Sequence, residues 1–251
     1  HRDLHSFPTR RSSDLLGLGG LISTFMRWES IDHLEIYGGA NALERIRDLI
    51  FGVVLRGAKP PMPVELIPVS PGVIFEEGGF TLSAFPVMHR GPDNFGYLFE
   101  EKGRQPFLAE TADALGIPAG PLRGKLVKGE SITLGDGRII TPEMVTGAFK
   151  PGTRFAAIGD IGETESLVEL LRGVEGMVIE ATYLHEEADM ARQYGHLTAR
   201  QAAEFALRIG AGKLILTHLS RRYRDKDVLA EAQALFGNTS VARDFDTFTI
   251  K

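Results

Sequence analysis

The hydrophobic pattern changes character along the chain, with period-2 alternation dominating early and strand-helix alternation later. Val64 to Val69, Phe80 to Met88 and Asn94 to Glu101 read as strands separated by Gly-Gly and Gly-Pro-Asp-Asn turn signals. Leu34 to Tyr37 reads as a further short strand. Before it, residues from Leu16 to Trp28 are glycine-rich and then apolar, as in a loop entering a buried helix. Asn41 with Glu44 three residues on forms a capping-box pattern for a helix to about Leu55, and a proline-rich loop follows from Lys59 to Pro63. Later, Arg154 to Ile158, Gly176 to Ala181 and Lys213 to Thr217 predict strands, while Thr164 to Arg172, Thr198 to Ile209 and Lys226 to Phe236 predict helices. Antiparallel strands followed by βα alternation predict an α/β fold with helices packed outside sheets.

Between these halves, Lys102 to Gly152 holds five prolines and nine glycines and only short periodic pieces. It predicts an inserted, irregular or projecting arm with a small hairpin around Gly135-Asp136-Gly137. Charge sets it apart as well. From Lys102 to Arg154 there are eight Lys or Arg against five Asp or Glu, a local balance of +3 on a chain whose net charge is -5. That excess suits a polyanion bound away from an acidic body.

With 251 residues and 43% apolar content, the chain is long enough for one large domain with a substantial core. No apolar run reaches the roughly 20 residues that cross a bilayer, and the start carries no signal-peptide core, so a cytoplasmic protein is expected. Residues 1–15, HRDLHSFPTRRSSDL, have neither period and read as a foreign leader, leaving 16–251 as the domain. There is no cysteine, so any metal site must use histidine and carboxylate.

Three such residues stand at predicted strand ends: His89, Asp160 and His218. Each alone is more often a hydrogen-bonded loop residue; three at equivalent strand ends form a candidate metal set. His196 precedes a helix that Thr198 can cap with Gln201, a position suited to an anionic group. Glu180 is an acid inside the apolar strand VIEAT and requires a partner. His33 and His185 lack comparable settings and read as surface residues.

The stretches LGLGGLISTFMRW, MHRGPDNFGYLFEE, GIPAGPLRGKLVKGESITLGDGRII, FAAIGD, VIEATY, GHLTARQAAEFA and LILTHLSRRY run in order from Leu16 to Tyr223. In that order they resemble the bacterial ribonuclease Z family of the metallo-β-lactamase superfamily. The resemblance implies a four-layer αββα sandwich with two Zn²⁺ ions at one edge, cleavage of the 3′ trailer from precursor tRNA, and a homodimer. Carried over by position, His89 and His218 would each bind one zinc and Asp160 would bridge them. His196 would contact the scissile phosphate or protonate the leaving oxygen, with Glu180 orienting it. Arg222 would lie near substrate phosphate; Arg221 stands where many relatives have a small residue. The segment from about 102 to 152 would be the tRNA-gripping arm, with Gly120 and Pro121 as its Gly-Pro motif and Arg123, Lys125 and Lys128 supplying charge.

Two departures alter the expectation. The family threonine after the bridging aspartate is Ile161, and the His-x-His-x-Asp-His motif that directly precedes LGLGGL in the family is replaced by Ser12-Ser13-Asp14-Leu15. HRDLH at His1 to His5 has different spacing, so no metal role is carried onto it. The expectation is therefore an N-terminally truncated fold with impaired activity. Two alternatives stand beside it: a hydrolase of small phosphodiesters or other esters, and a noncatalytic tRNA-binding protein.

Overall fold

The computed structural model describes residues 17–25, 31–60 and 62–250. The proposed leader lies outside them. The expected four layers begin on one side with a small sheet of two parallel strands, β1 (Leu34–Gly38) and β2 (Val64–Pro68), paired Leu34 to Val64 and Ile36 to Leu66. Over it lie a helix at residues 17–25 (α1) and α2 (Ala40–Arg47), with Ile22, Leu43, Ile46, Ile50 and Leu55 closing a core of their own.

The larger sheet has seven strands in the order β11-β10-β9-β8-β5-β4-β3. These are β3 (Gly72–Glu77), β4 (Phe80–Pro86), β5 (Phe95–Glu101), β8 (Arg154–Ala157), β9 (Gly176–Glu180), β10 (Leu214–Thr217) and β11 (Thr239–Val241). Neighbours from β3 to β8 run antiparallel and those from β8 to β11 parallel. One face buries Phe85, Leu98, Ala156, Met177, Ile179, Leu214 and Leu216 beneath α6 (Ala199–Ile209) and α7 (Asp225–Gln233). On α6 the buried positions Ala199, Ala202, Ala203, Ala206 and Ile209 follow helical spacing, and their small size lets the helix approach the sheet closely. On the opposite face, Phe99, Phe155, Val178 and Ile215 line a groove of about 570 Å³ with Phe248 and Ile250.

Between β5 and β8 the expected arm is a compact module rather than an irregular loop. Helices α3 (Ala109–Ala114) and α4 (Pro121–Val127) and the hairpin β6 (Ile132–Thr133) and β7 (Ile139–Ile140) enclose Ala112, Ile117, Leu126, Ile132, Ile140 and Val145. Its two legs are tied by antiparallel bridges, Arg104 with Lys150 and Phe107 with Thr146.

Three local expectations change. Asn41 does not cap α2: Gly39 is the N-cap, and the Asn41 amide donates instead to Asp93 Oδ2 at 2.6 Å. The helix continues into a π-helical turn, Asp48–Val54, around Gly52. Thr164 to Arg172 forms only a 3₁₀ turn, Glu165–Leu167, because the Glu163 carboxylate accepts from the amides of Glu165 and Ser166 and holds a tight turn there. The Thr198 capping box does form, with the Gln201 amide donating to Thr198 Oγ1 at 3.1 Å and the Thr198 amide to Gln201 Oε1 at 2.9 Å. Thr198→Ala should cost about 1 kcal/mol and lower the melting temperature by roughly 2–4 °C in a thermal melt.

Candidate metal centre

The sheet delivers its chemistry at the carboxyl ends of its central strands. His89 follows β4, Asp160 follows β8, Glu180 ends β9 and His218 follows β10. His196 comes from the loop between α5 (Ala188–Tyr194) and α6. Two glycines let these loops meet. Gly195 closes α5 with φ +67°, a conformation that L side chains rarely adopt, and it lies in van der Waals range of the His89 ring. A Cβ on Gly162 would lie 3.3 Å from the Gly195 Cα, while its amide donates to the Met88 carbonyl at 2.7 Å. A side chain at Gly162 would crowd the Gly195 backbone, and one at Gly195 would strain its left-handed conformation, so both glycines suit the meeting of the loops that carry His89, Asp160 and His196.

Hydrogen bonding fixes the histidine tautomers. His89 Nδ1 lies 2.7 Å from the Gly195 carbonyl, which only accepts, so Nδ1 carries the proton and Nε2 the lone pair. That Nε2 faces Asp160 Oδ2 at 3.7 Å, while His218 Nε2 faces Asp160 Oδ1 at 3.3 Å. Asp160 thus presents one oxygen to each histidine. Two imidazole nitrogens flanking one carboxylate form a nitrogen and oxygen donor set that fits a divalent metal ion. One ligand atom from each of His89, Asp160 and His196 also lies within 4.8 Å of the others, which places His196 at the same centre. Its ring centroid is 5.1 Å from that of His89 and 5.4 Å from that of His218.

Glu180 is fully buried and satisfied by four donors. Its Oε1 accepts from the Ile161 amide and from His196 Nδ1, both at 2.8 Å. Its Oε2 accepts from the Leu197 amide at 3.2 Å and lies 2.5 Å from the Thr182 hydroxyl. Amide donors on both oxygens identify the group as an accepting carboxylate, which makes His196 Nδ1 a donor and turns His196 Nε2 toward the centre. Ile161 contributes its backbone amide while its side chain is buried. The Thr182 hydroxyl is also 3.1 Å from the carbonyl of His218, whose φ of +55° is rare for a residue with a side chain. Thr182, absent from the sequence-derived set, therefore links Glu180 to the strained His218 backbone. Nearby Tyr183 is buried, and burial pushes its phenol above the usual tyrosine range, so it adds no charge beside His196.

The remaining expected residues divide. Arg222 Nη1 bonds Glu187 Oε1 at 3.0 Å and touches Met190 Sδ, so its charge is paired at the rim. In the arm, Gly120 adopts φ +125°, which favours glycine, and Pro121 opens α4. Lys125 and Lys128 are exposed. Arg123 is turned inward: its guanidinium donates to the Ile117 carbonyl and pairs with Asp113, so it braces the arm and is not available to phosphate. His33 lies on the surface between Glu35 and Glu65. Exposed His185 uses its amide on Glu231.

Comparison with known proteins identifies the family. Residues 143–219 match the profile of a beta-lactamase superfamily domain. The chain is 42% identical over 236 residues to ribonuclease Z of Bradyrhizobium diazoefficiens, covering 94% of this chain and 78% of that protein. The chain belongs to the ribonuclease Z family. A second member, from Listeria monocytogenes, is 38% identical over 249 residues, covering 97% and 80%. The crystal structure of human tRNase Z, short form, matches with a TM-score of 0.55 and 20% identity over 94% of this chain and 74% of that one. The metallo-beta-lactamase fold protein YhfI from Bacillus subtilis matches equally well in shape at 15% identity, covering 92% and 69%. The fold is therefore the metallo-β-lactamase fold of the ribonuclease Z family.

Proposed function

We propose that the chain is a zinc-dependent endoribonuclease that removes the 3′ trailer of precursor tRNA by hydrolysing one phosphodiester bond. The observation that carries this reading is the buried Glu180–His196 pair beside an Asp160 that faces two histidines. It is joined by membership of a family whose relatives are named ribonuclease Z. His89, Asp160 and His218 would hold the metal, which when bound supplies a water of lowered pKa and positive charge for the phosphate oxygens. The Glu180 carboxylate orients His196 through Nδ1, and His196 Nε2 gives a proton to the departing 3′ oxygen as the water oxygen bonds to phosphorus and the P–O3′ bond breaks. The products are a tRNA 3′ hydroxyl and a trailer with a 5′ phosphate. Lys125 and Lys128 on the arm serve as the distant grip on tRNA. A cytoplasmic homodimer completes the proposal, and among the described residues no helix is long and apolar enough to cross a membrane.

Low turnover is part of this reading. Among the described residues, His89, Asp160 and His218 shared between two metal positions leave each short of the three protein ligands usual for catalytic zinc.

Single-turnover cleavage with enzyme in excess and zinc added tests the proposal. Lys125→Glu with Lys128→Glu should reduce trailer release at least about tenfold by losing phosphate contacts, yet leave hydrolysis of bis(p-nitrophenyl) phosphate unchanged. Equal losses on both substrates would remove the arm from tRNA recognition. Hydrolysis of the small ester alone would instead favour a small-phosphodiester hydrolase, and salt-sensitive RNA binding without any hydrolysis a noncatalytic binder.

A further inference from the structure

Arg90 follows His89, and its position has a use that the metal set does not explain. Its guanidinium carbon sits 4.9 Å from the centroid of the Tyr194 ring, and Nη2 makes one long bond, 3.4 Å, to the Gln193 carbonyl. Its stem passes 3.8 Å from where a Cβ on Gly195 would stand, directly before His196. Arg222 contacts Glu187 and Met190 at the start of the same short helix, α5. The two arginines differ in one respect. Arg222 is matched by Glu187, whereas no described carboxylate pairs with Arg90, which is exposed.

A guanidinium lying over an aromatic ring keeps donors for another partner, and the fork of donors matches phosphate oxygens. It stands beside the loop of His196, on the same turn that carries His89. We propose that Arg90 is a phosphate-binding residue of the site, engaging the RNA backbone next to the scissile phosphate. This rests on the reading of the chain as an RNA-cleaving enzyme, and it adds a cation that charge pairing at Arg222 would otherwise leave lacking.

The test is equilibrium binding of the full chain to precursor tRNA across a series of salt concentrations, comparing wild type, Arg90→Gln and Arg90→Lys. Arg90→Gln should weaken binding about tenfold and reduce the slope of log affinity against log salt by about 1, the signature of one lost phosphate contact. Arg90→Lys keeps the charge and should retain the slope. If Arg90 merely props Tyr194 and Gly195, both variants lower the melting temperature alike and neither changes the slope, which overturns the proposal. An unchanged slope in Arg90→Gln, with wild type binding normally, overturns this assignment alone. A wild-type chain that does not bind precursor tRNA overturns it together with the functional reading beneath it.

Discussion

Replacing Asp160 by asparagine is expected to weaken zinc binding by roughly a hundredfold or more, since even partners that only orient metal ligands cost about 10–100-fold when lost. The expectation comes from the two-sided placement of this carboxylate, with Oδ2 toward His89 and Oδ1 toward His218. Asparagine retains one oxygen but turns the other position into a donor, and it removes the negative charge that offsets the metal. Stability should hardly change. Asp160 is only partly buried and its side-chain neighbours are these two histidines, so the melting temperature of the metal-free protein should stay within about 2 °C. Calorimetric titration of the metal-free protein with zinc reads the first quantity and a thermal melt the second. Unchanged zinc affinity would mean that the ion is held elsewhere.

Glu180→Gln should behave in the opposite sense, with a large loss of stability from a change of one heavy atom. All four groups around the carboxylate are donors: the Ile161 and Leu197 amides, His196 Nδ1 and the Thr182 hydroxyl. A glutamine NH₂ must face donors on one side or the other, inside a site with no solvent to relieve it. Breaking a buried charge network of this kind costs about 3–5 kcal/mol, a fall in melting temperature of roughly 6–20 °C. Turnover should fall by about 10²–10⁴, since His196 either loses its partner or adopts the other tautomer and carries its proton at the wrong nitrogen. Thr182→Val is a graded comparison, losing one hydroxyl while keeping three donors. A Glu180→Gln protein as stable and active as its parent would sink the account of the buried pair.

The strands that build the site were legible because each is an apolar run ending in a polar residue, as in FAAIGD and LILTH. Glu180 was legible for the converse reason, a charge inside an apolar run. Strand β3 was not, since Val73 is exposed and Phe75 partly so at the sheet edge, and no buried face marks the segment. Helices α3 and α4 are six and seven residues long among glycines and prolines, too short for periodicity to accumulate. Thr182 was hidden by its ordinary side chain, for only the fold places its hydroxyl between Glu180 and the His218 carbonyl. Arg123 was legible as a charge but not as a brace, because its partners Asp113 and Ile117 are brought to it by the arm's own packing.

The arm leaves from the end of β5 and returns at the start of β8, two strands already paired antiparallel with Glu100 opposite Arg154. To the sheet, the whole module is therefore the loop of a hairpin. Loop closure grows only logarithmically with length, about 0.6 kcal/mol for each doubling, so lengthening, shortening or exchanging this segment leaves strand register and the distant histidines undisturbed. Reach toward a substrate can then vary by insertion and deletion alone, independently of the chemistry, with the hairpin as the joint between two separately adjustable parts.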